Sequence, residues 1–387
     1  MTGSDRLFSR PFLLMCGFTF SVFLSLFQLL PTAPFRILEL GGSTVAAGLF
    51  LGLLTYASAL SAPFTGALAD RFGRRRMLVV SSLAIAGFST AYAFSRSWQL
   101  LVCLVFFHGL FWSGLLSASA AYITGLIPPS RRAEGIGYWG MATVLATAFA
   151  PALGLEIYRH GWVPLCASVG TLNLAMAAIA WRLPESEGPV RAAGAPFFTR
   201  DFIEWPVLAV SMSLFLCSIG YGGVTSFVAM WTERNGLSPR GFFFTVFSLT
   251  VLCLRPFVGR FADRVGPRRV ILPLLGLVAV SFAVLSVATT RSLLATSALL
   301  FGASFGNVYP VYVAHVTRHI EPARRGAAFG AILAAFDTGI GTGSVALGAV
   351  IGRAGFPAAY ALAAVLAAFS IPSFVLLERR FLRPRMS

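Results

Sequence analysis

The chain has 387 residues, of which 57% are hydrophobic and 11% charged, with a mean hydropathy of +0.79. A water-soluble protein of this length needs far more polar residues to cover its surface, so a soluble enzyme or binding module is excluded. The net charge of +16 comes from thirty arginines and no lysine, and these sit in short segments between apolar runs rather than in a nucleic-acid-binding patch.

Taken in chain order, the apolar runs predict twelve membrane-crossing helices near 11–31, 44–67, 77–95, 98–122, 134–155, 162–182, 203–229, 241–262, 269–289, 293–316, 326–350 and 357–377. Each is about the length a helix needs to cross the hydrocarbon core. The first run ends at Pro31 and Pro34, not at a small-residue cleavage site, so it reads as a retained helix rather than a leader. The five cysteines lie singly inside apolar runs, which predicts buried hydrophobes rather than disulfides or metal ligands. The most polar interior stretch, PESEGPVRAAGAPFFTR at 184–200, reads as a linker. It divides the chain into an N-terminal half, 1–183, and a C-terminal half, 201–387.

Placing both termini in the cytoplasm puts 22 arginines on that side and 7 on the other, with Arg255 inside a span. Such an asymmetry orients a membrane protein. The expected location is therefore a cytoplasmic (inner) membrane, crossed many times.

The segment GALADRFGRRRM, starting at Gly66, returns as GRFADRVGPRRV, starting at Gly259. With an offset of 193, nine of fifteen positions are identical between 62–76 and 255–269. The same offset pairs Gly109 with Gly302, Arg131 and Arg132 with Arg324 and Arg325, and Gly137 with Gly330. An unbroken offset implies two pseudo-symmetric six-helix halves, a usual build for a secondary transporter.

At these motifs the chain resembles the major facilitator superfamily, whose G-x-x-x-D-R-x-G-R-R signature lies between helices two and three. Here it is carried by Gly66, Asp70, Arg71, Gly73, Arg74 and Arg75. The second copy has Gly259, Asp263, Arg264, Gly266, Arg268 and Arg269, with Pro267 breaking the pattern. The resemblance implies an all-α fold of twelve transmembrane helices and alternating access. It also implies that Asp70 caps helix eleven near Gly326 while the arginines latch the halves. A weaker exporter-like pattern in helix five keeps Gly137 and Gly154 but substitutes alanine at 146 and 150.

Asp337 is the one acid placed deep in a span, about 18 Å along helix eleven by helical rise. An ionisable group there is expensive and is a candidate for proton coupling, although a structural hydrogen-bond acceptor fits the same position. His108, at similar depth in helix four, is a second proton-relay candidate or a packing histidine. The resemblance places helices one, four, seven and ten around the substrate, which selects Gln28, Tyr221, Asn307 and Tyr309 as candidates. Arg255 joins them as a contact for an anionic cargo, or as a snorkelling arginine. No Walker loop, nucleophile elbow or zinc spacing occurs, so neither catalysis nor a cofactor is expected. The expected function is proton-coupled export of a small organic molecule by a monomer in the bilayer, with no nucleic-acid partner. Uptake, export of an anionic metabolite such as a sugar derivative or siderophore-like chelator, and a non-transporting scaffold or receptor are the alternatives.

Overall fold

The computed structural model describes residues 7–185, 204–237, 239–321 and 324–382, so most of the predicted linker lies outside the described residues. Thirteen α-helices follow one another: α1 (Arg10–Leu29), α2 (Ala33–Glu39), α3 (Thr44–Phe72), α4 (Arg74–Phe94), α5 (Trp98–Leu126), α6 (Arg132–Tyr158), α7 (Trp162–Trp181), α8 (Trp205–Val210), α9 (Met212–Arg234), α10 (Phe242–Val265), α11 (Pro267–Ser286), α12 (Arg291–Thr317) and α13 (Arg325–Phe381). No strand occurs among the described residues. Eleven helical segments are long and apolar enough to cross a membrane. The last of them spans two of the predicted helices, because α13 runs 57 residues and leaves helical geometry at Gly355 (φ 82, ψ 174).

Two details were not expected from the apolar runs. The turn after α1 continues into the short helix α2, and the predicted helix at 203–229 is divided at Ser211 into α8 and α9. Helix ends also reach further into the arginine-rich segments than hydropathy indicated, as at Phe72 and Arg74. A long arginine side chain extends its head group to water while its backbone stays helical, so charge marks the interface better than it marks the helix end.

The helix starts have local causes. Ser9, Ser97 and Thr290 accept hydrogen bonds from the backbone N–H groups of Phe12, Leu100 and Leu293, at 3.4, 3.3 and 3.3 Å. Each caps an otherwise open first turn. Ser97 and Thr290 are 193 residues apart. So are the ends of α3 and α10, and the starts of α4 and α11, of α5 and α12, and of α6 and α13. The repeat in sequence is therefore a repeat in secondary structure.

Contacts divide the molecule into two units. One holds the chain up to Thr32 with the segment from Tyr56 through the rest of the N-terminal half; the other holds Ala33–Thr55 with the C-terminal half. In the first unit α1 packs on α6 and α7, and α4 packs on α5 and α7. In the second, α9 packs on α13, α11 on α12 and α13, and α10 on α12. The α9–α13 seam is built from glycines. A Cβ on Gly222 would strike the backbone of Ile340, and one on Gly339 or Gly343 would strike the backbone of Phe215 or Ile219. Small residues at such seams let helix backbones approach where lipid offers no hydrophobic drive for association.

The start of α3 joins this unit through hydrogen bonds from Thr44 Oγ1 to Gly348 O (2.6 Å) and from Ser344 Oγ to Gly48 O (2.9 Å). Large apolar side chains such as Leu60, Phe94, Trp181, Phe369 and Leu376 are exposed along the helices, as a lipid-facing surface requires.

Candidate functional site in the C-terminal half

Asp337 lies in the middle of the first leg of α13. Its carboxylate makes no hydrogen bond or ion pair among the described residues, although it is only partly exposed. It is within electrostatic reach of the Tyr309 hydroxyl on α12. Phe336, its neighbour on α13, packs on Tyr309 with ring centroids 4.8 Å apart. Phe305, one turn before Tyr309, stacks on Tyr221 of α9 at 4.5 Å and 23°, and on Phe336 at 6.0 Å and 21°. Three helices thus bring together four rings and one carboxylate. Behind them Phe301, Phe243 and Phe282 are fully buried and form the core proper. Tyr221, Tyr309, Phe336 and Asp337 stay partly exposed at its edge.

Of the residues expected from sequence, the structure brings Tyr221, Tyr309 and Asp337 into this one cluster. Asn307, also on α12, is buried and donates from its side-chain amide to the carbonyl of Ala303 at 3.0 Å. Arg255, on α10, is half-buried and has no ion pair or hydrogen bond among the described residues, Asp337 included.

In the N-terminal half, His108 is buried between α4 and α5. Its Nδ1 lies 3.1 Å from the Tyr92 hydroxyl, and its ring stacks on Phe88. Gln28 is buried where α1 meets α6 and α7. It donates to the carbonyl of Leu24 at 3.1 Å and accepts from Ser168 Oγ at 3.1 Å, while Gly154 packs against its backbone. Both polar groups are thereby satisfied within helix packing.

The copied loops share the backbone conformation of their central glycine. Gly73 has φ 95 and ψ 132, and Gly266 has φ 92 and ψ 135. Both dihedral pairs are closed to residues with a Cβ, which explains why glycine recurs there. The arginines of each loop hold their own half together. Arg74 Nη1 donates to the carbonyl of Ala121 at 2.9 Å. Arg75 binds Glu185 (3.1 Å) and the carbonyl of Trp181 (2.7 Å). In the second copy Arg268 Nε lies 2.8 Å from Glu378 Oε2, and Asp263 pairs with Arg318 at 3.6 Å. Arg71, Arg264 and Arg269 are exposed, and the Gly259 backbone faces open space. The side chain of Asp70 and the surroundings of Gly66 and Gly326 lie outside the described residues.

Sequence reasoning missed Glu378 and His315. Glu378 is fully buried at the end of α13, held by Arg268 and by His315 Nε2 at 3.0 Å. A signal was present: the offset of 193 that relates Arg75 to Arg268 also relates Glu185 to Glu378 and Tyr122 to His315. Tyr122 holds the matching place in the first half, where its hydroxyl donates to the carbonyl of Pro184 at 2.7 Å.

Comparison with known proteins agrees with this architecture. The sequence profile described as Major Facilitator Superfamily matches residues 12–243 and 210–385. An uncharacterized MFS-type transporter of Burkholderia mallei (strain SAVP1) is 27% identical over 374 residues, covering 94% of this chain and 91% of the relative. The uncharacterized MFS-type transporter YhhS of Escherichia coli (strain K12) is 26% identical, covering 92% and 89%. Among solved structures, a bacterial homolog of the human lysosomal transporter Spinster, inward-facing and occupied, aligns with a TM-score of 0.79 at 17% identity over 98% of this chain and 99% of its own. The nucleoside transporter NupG (D323A mutant) aligns at 0.78 with 14% identity, over 95% and 100%. At these identities the structural likenesses speak for the fold alone.

Proposed function

The chain belongs to the major facilitator superfamily, and on that premise we propose that it is a proton-coupled secondary transporter exporting a small organic molecule across the cytoplasmic membrane. The observation that carries this reading is Asp337: a carboxylate at mid-span, beside a partly exposed aromatic face, with no partner among the described residues. An isolated charge at that depth is costly, and natural sequences keep one there for a purpose. A group that is alternately sealed from water and opened to it can take up and release a proton in each cycle. His108 and Gln28 do not share this setting, since their packing partners satisfy them. The coupling role therefore rests on Asp337 alone. The two copied loops, each braced inside its own half, would let the halves move as rigid bodies, with Asp70 as the latch that the family resemblance implies.

The test is transport by proteoliposomes under an imposed pH gradient, scored over a panel of organic compounds. The wild-type chain should accumulate at least one of them, and Asp337→Asn should lose the gradient-driven component while keeping downhill exchange in part. Parental, pH-driven accumulation by Asp337→Asn would remove the coupling role.

Arg255 favours a second reading. A guanidinium inside a span, with no ion pair among the described residues, suits an anionic cargo, moved in or out. In that case Arg255→Gln, and not Asp337→Asn, would abolish recognition.

A further inference from the structure

We propose that the C-terminal half binds organic cations with an apolar, ring-bearing body, seated against Tyr221, Tyr309 and Phe336, with Asp337 as the counter-charge. The inference rests on the same carboxylate as the coupling reading and adds the class of substrate. These rings and that of Phe305 come from α9, α12 and α13 and lie close to one another: 4.5 Å for Tyr221 and Phe305, 4.8 Å for Tyr309 and Phe336, and 6.5 Å for Tyr221 and Phe336. Tyr221, Phe305 and Phe336 are inclined to one another by only 21–27°. Phe305 is buried and backs Tyr221 and Phe336, which with Tyr309 form a partly exposed wall.

The face of an aromatic ring carries negative electrostatic potential and attracts a cation. The carboxylate at the edge of the wall adds a full negative charge in a place poor in water, where it is screened least. The two features select the same sign. They also explain each other. A wall that served only as core would be fully buried, as Phe301 is, and would not have at its margin an acid without a hydrogen bond or ion pair among the described residues. Arg255, a basic side chain inside α10, forms no ion pair with Asp337, and no other charged group among the described residues pairs with the carboxylate. The rings further require an apolar body on the ligand. A small hydrated cation would gain nothing from them that repays its desolvation.

A matched pair of probes tests the sign. Tetraphenylphosphonium and tetraphenylborate have nearly the same shape and apolar surface but opposite charge. Binding of each to the purified full chain is measured by equilibrium dialysis, without any pH gradient. The proposal expects saturable phosphonium binding and no comparable borate binding. Asp337→Asn should weaken phosphonium binding at least tenfold and Asp337→Glu much less. Tyr309→Leu and Phe336→Leu should each weaken it by about threefold or more, since each removes a ring face. The leucine variants keep the test usable should Asp337→Asn fail to fold. Borate binding equal to or tighter than phosphonium, or wild-type phosphonium affinity in Asp337→Asn or in both leucine variants, overturns the proposal. The outcomes also separate the two readings. If Asp337→Asn binds phosphonium normally yet loses pH-driven accumulation, the coupling role stands and the cation site falls. If it loses binding while wild-type accumulation ignores the pH gradient, the cation site stands and the coupling role falls.

Discussion

At the scale of single residues, the two glycines at the centre of the copied loops make a sharp case. Gly73 and Gly266 share a backbone conformation to within a few degrees, and a Cβ on either would meet little: Glu185 Oε1 lies 3.8 Å from the position at Gly73, and nothing lies within 4 Å at Gly266. The cost of a side chain there is therefore conformational, not steric. Gly73→Ala and Gly266→Ala should each lower stability by about 1–3 kcal/mol, and by similar amounts, as read from thermal unfolding in detergent. A clear effect at one and none at the other would show that the two turns are not equivalent. These glycines, like Asp337, were legible in the sequence because position and residue type carried the signal without help from neighbours. Glu378 was not. As a letter it is an acid in a basic tail, and its burial follows from Arg268 and His315, which the chain supplies from two other helices. For Gln28 and His108 the depth in a span was readable, but the partners that their polar groups meet, Ser168 and Tyr92, were not.

At the scale of elements, each half fastens the α3–α4 or α10–α11 turn to the end of its last helix with an arginine–glutamate pair, joined in the first half by Arg76, but in different surroundings. Glu185 is 61% exposed, whereas Glu378 is fully buried beside Arg268 and His315. An exposed ion pair contributes about 0–1 kcal/mol, while removing one partner of a buried pair costs up to about 3–5 kcal/mol, less here because His315 still holds Glu378. Arg268→Ala should therefore destabilise the chain more than Arg75→Ala. Equal melting temperatures for Arg75→Ala and Arg268→Ala would contradict this. The helix seams follow the same division between what a sequence displays and what it hides. The glycines of α13 were visible as a pattern, but only the fold shows that Gly339 and Gly343 serve the backbone of α9. The short α2 and the division at Ser211 left no mark in hydropathy, because neither changes the apolar content of its run.

At the scale of the whole molecule, duplication and charge asymmetry give the same topology by independent routes. The offset of 193 holds for the copied motif, for a pair of helix caps and for four pairs of helix boundaries. A missing or extra crossing in either half would break it, and would also scatter the arginines between the two sides of the membrane. With both termini placed in the cytoplasm they divide instead into 22 and 7. The loops at the ends of α3, α5, α10 and α12 carry arginine clusters, and the loops at the starts of α5 and α12 carry single arginines. We therefore expect all the cluster-bearing loops on the cytoplasmic side, because arginine-rich loops are retained there during insertion. In a variant lacking the five native cysteines, single cysteines at Arg76, Arg132 and Arg318 should react with a membrane-impermeant thiol reagent only after the cells are opened. Cysteines at Arg96 and Arg291 should react in intact cells. Because Arg96 and Arg291 are adjacent to the duplicated caps Ser97 and Thr290, both must report the same side if the halves share one plan. Labelling of Arg76→Cys from outside would invert the orientation and turn proposed export into uptake. Opposite labelling of Arg96→Cys and Arg291→Cys would mean an odd number of crossings between them and would end the two-half topology.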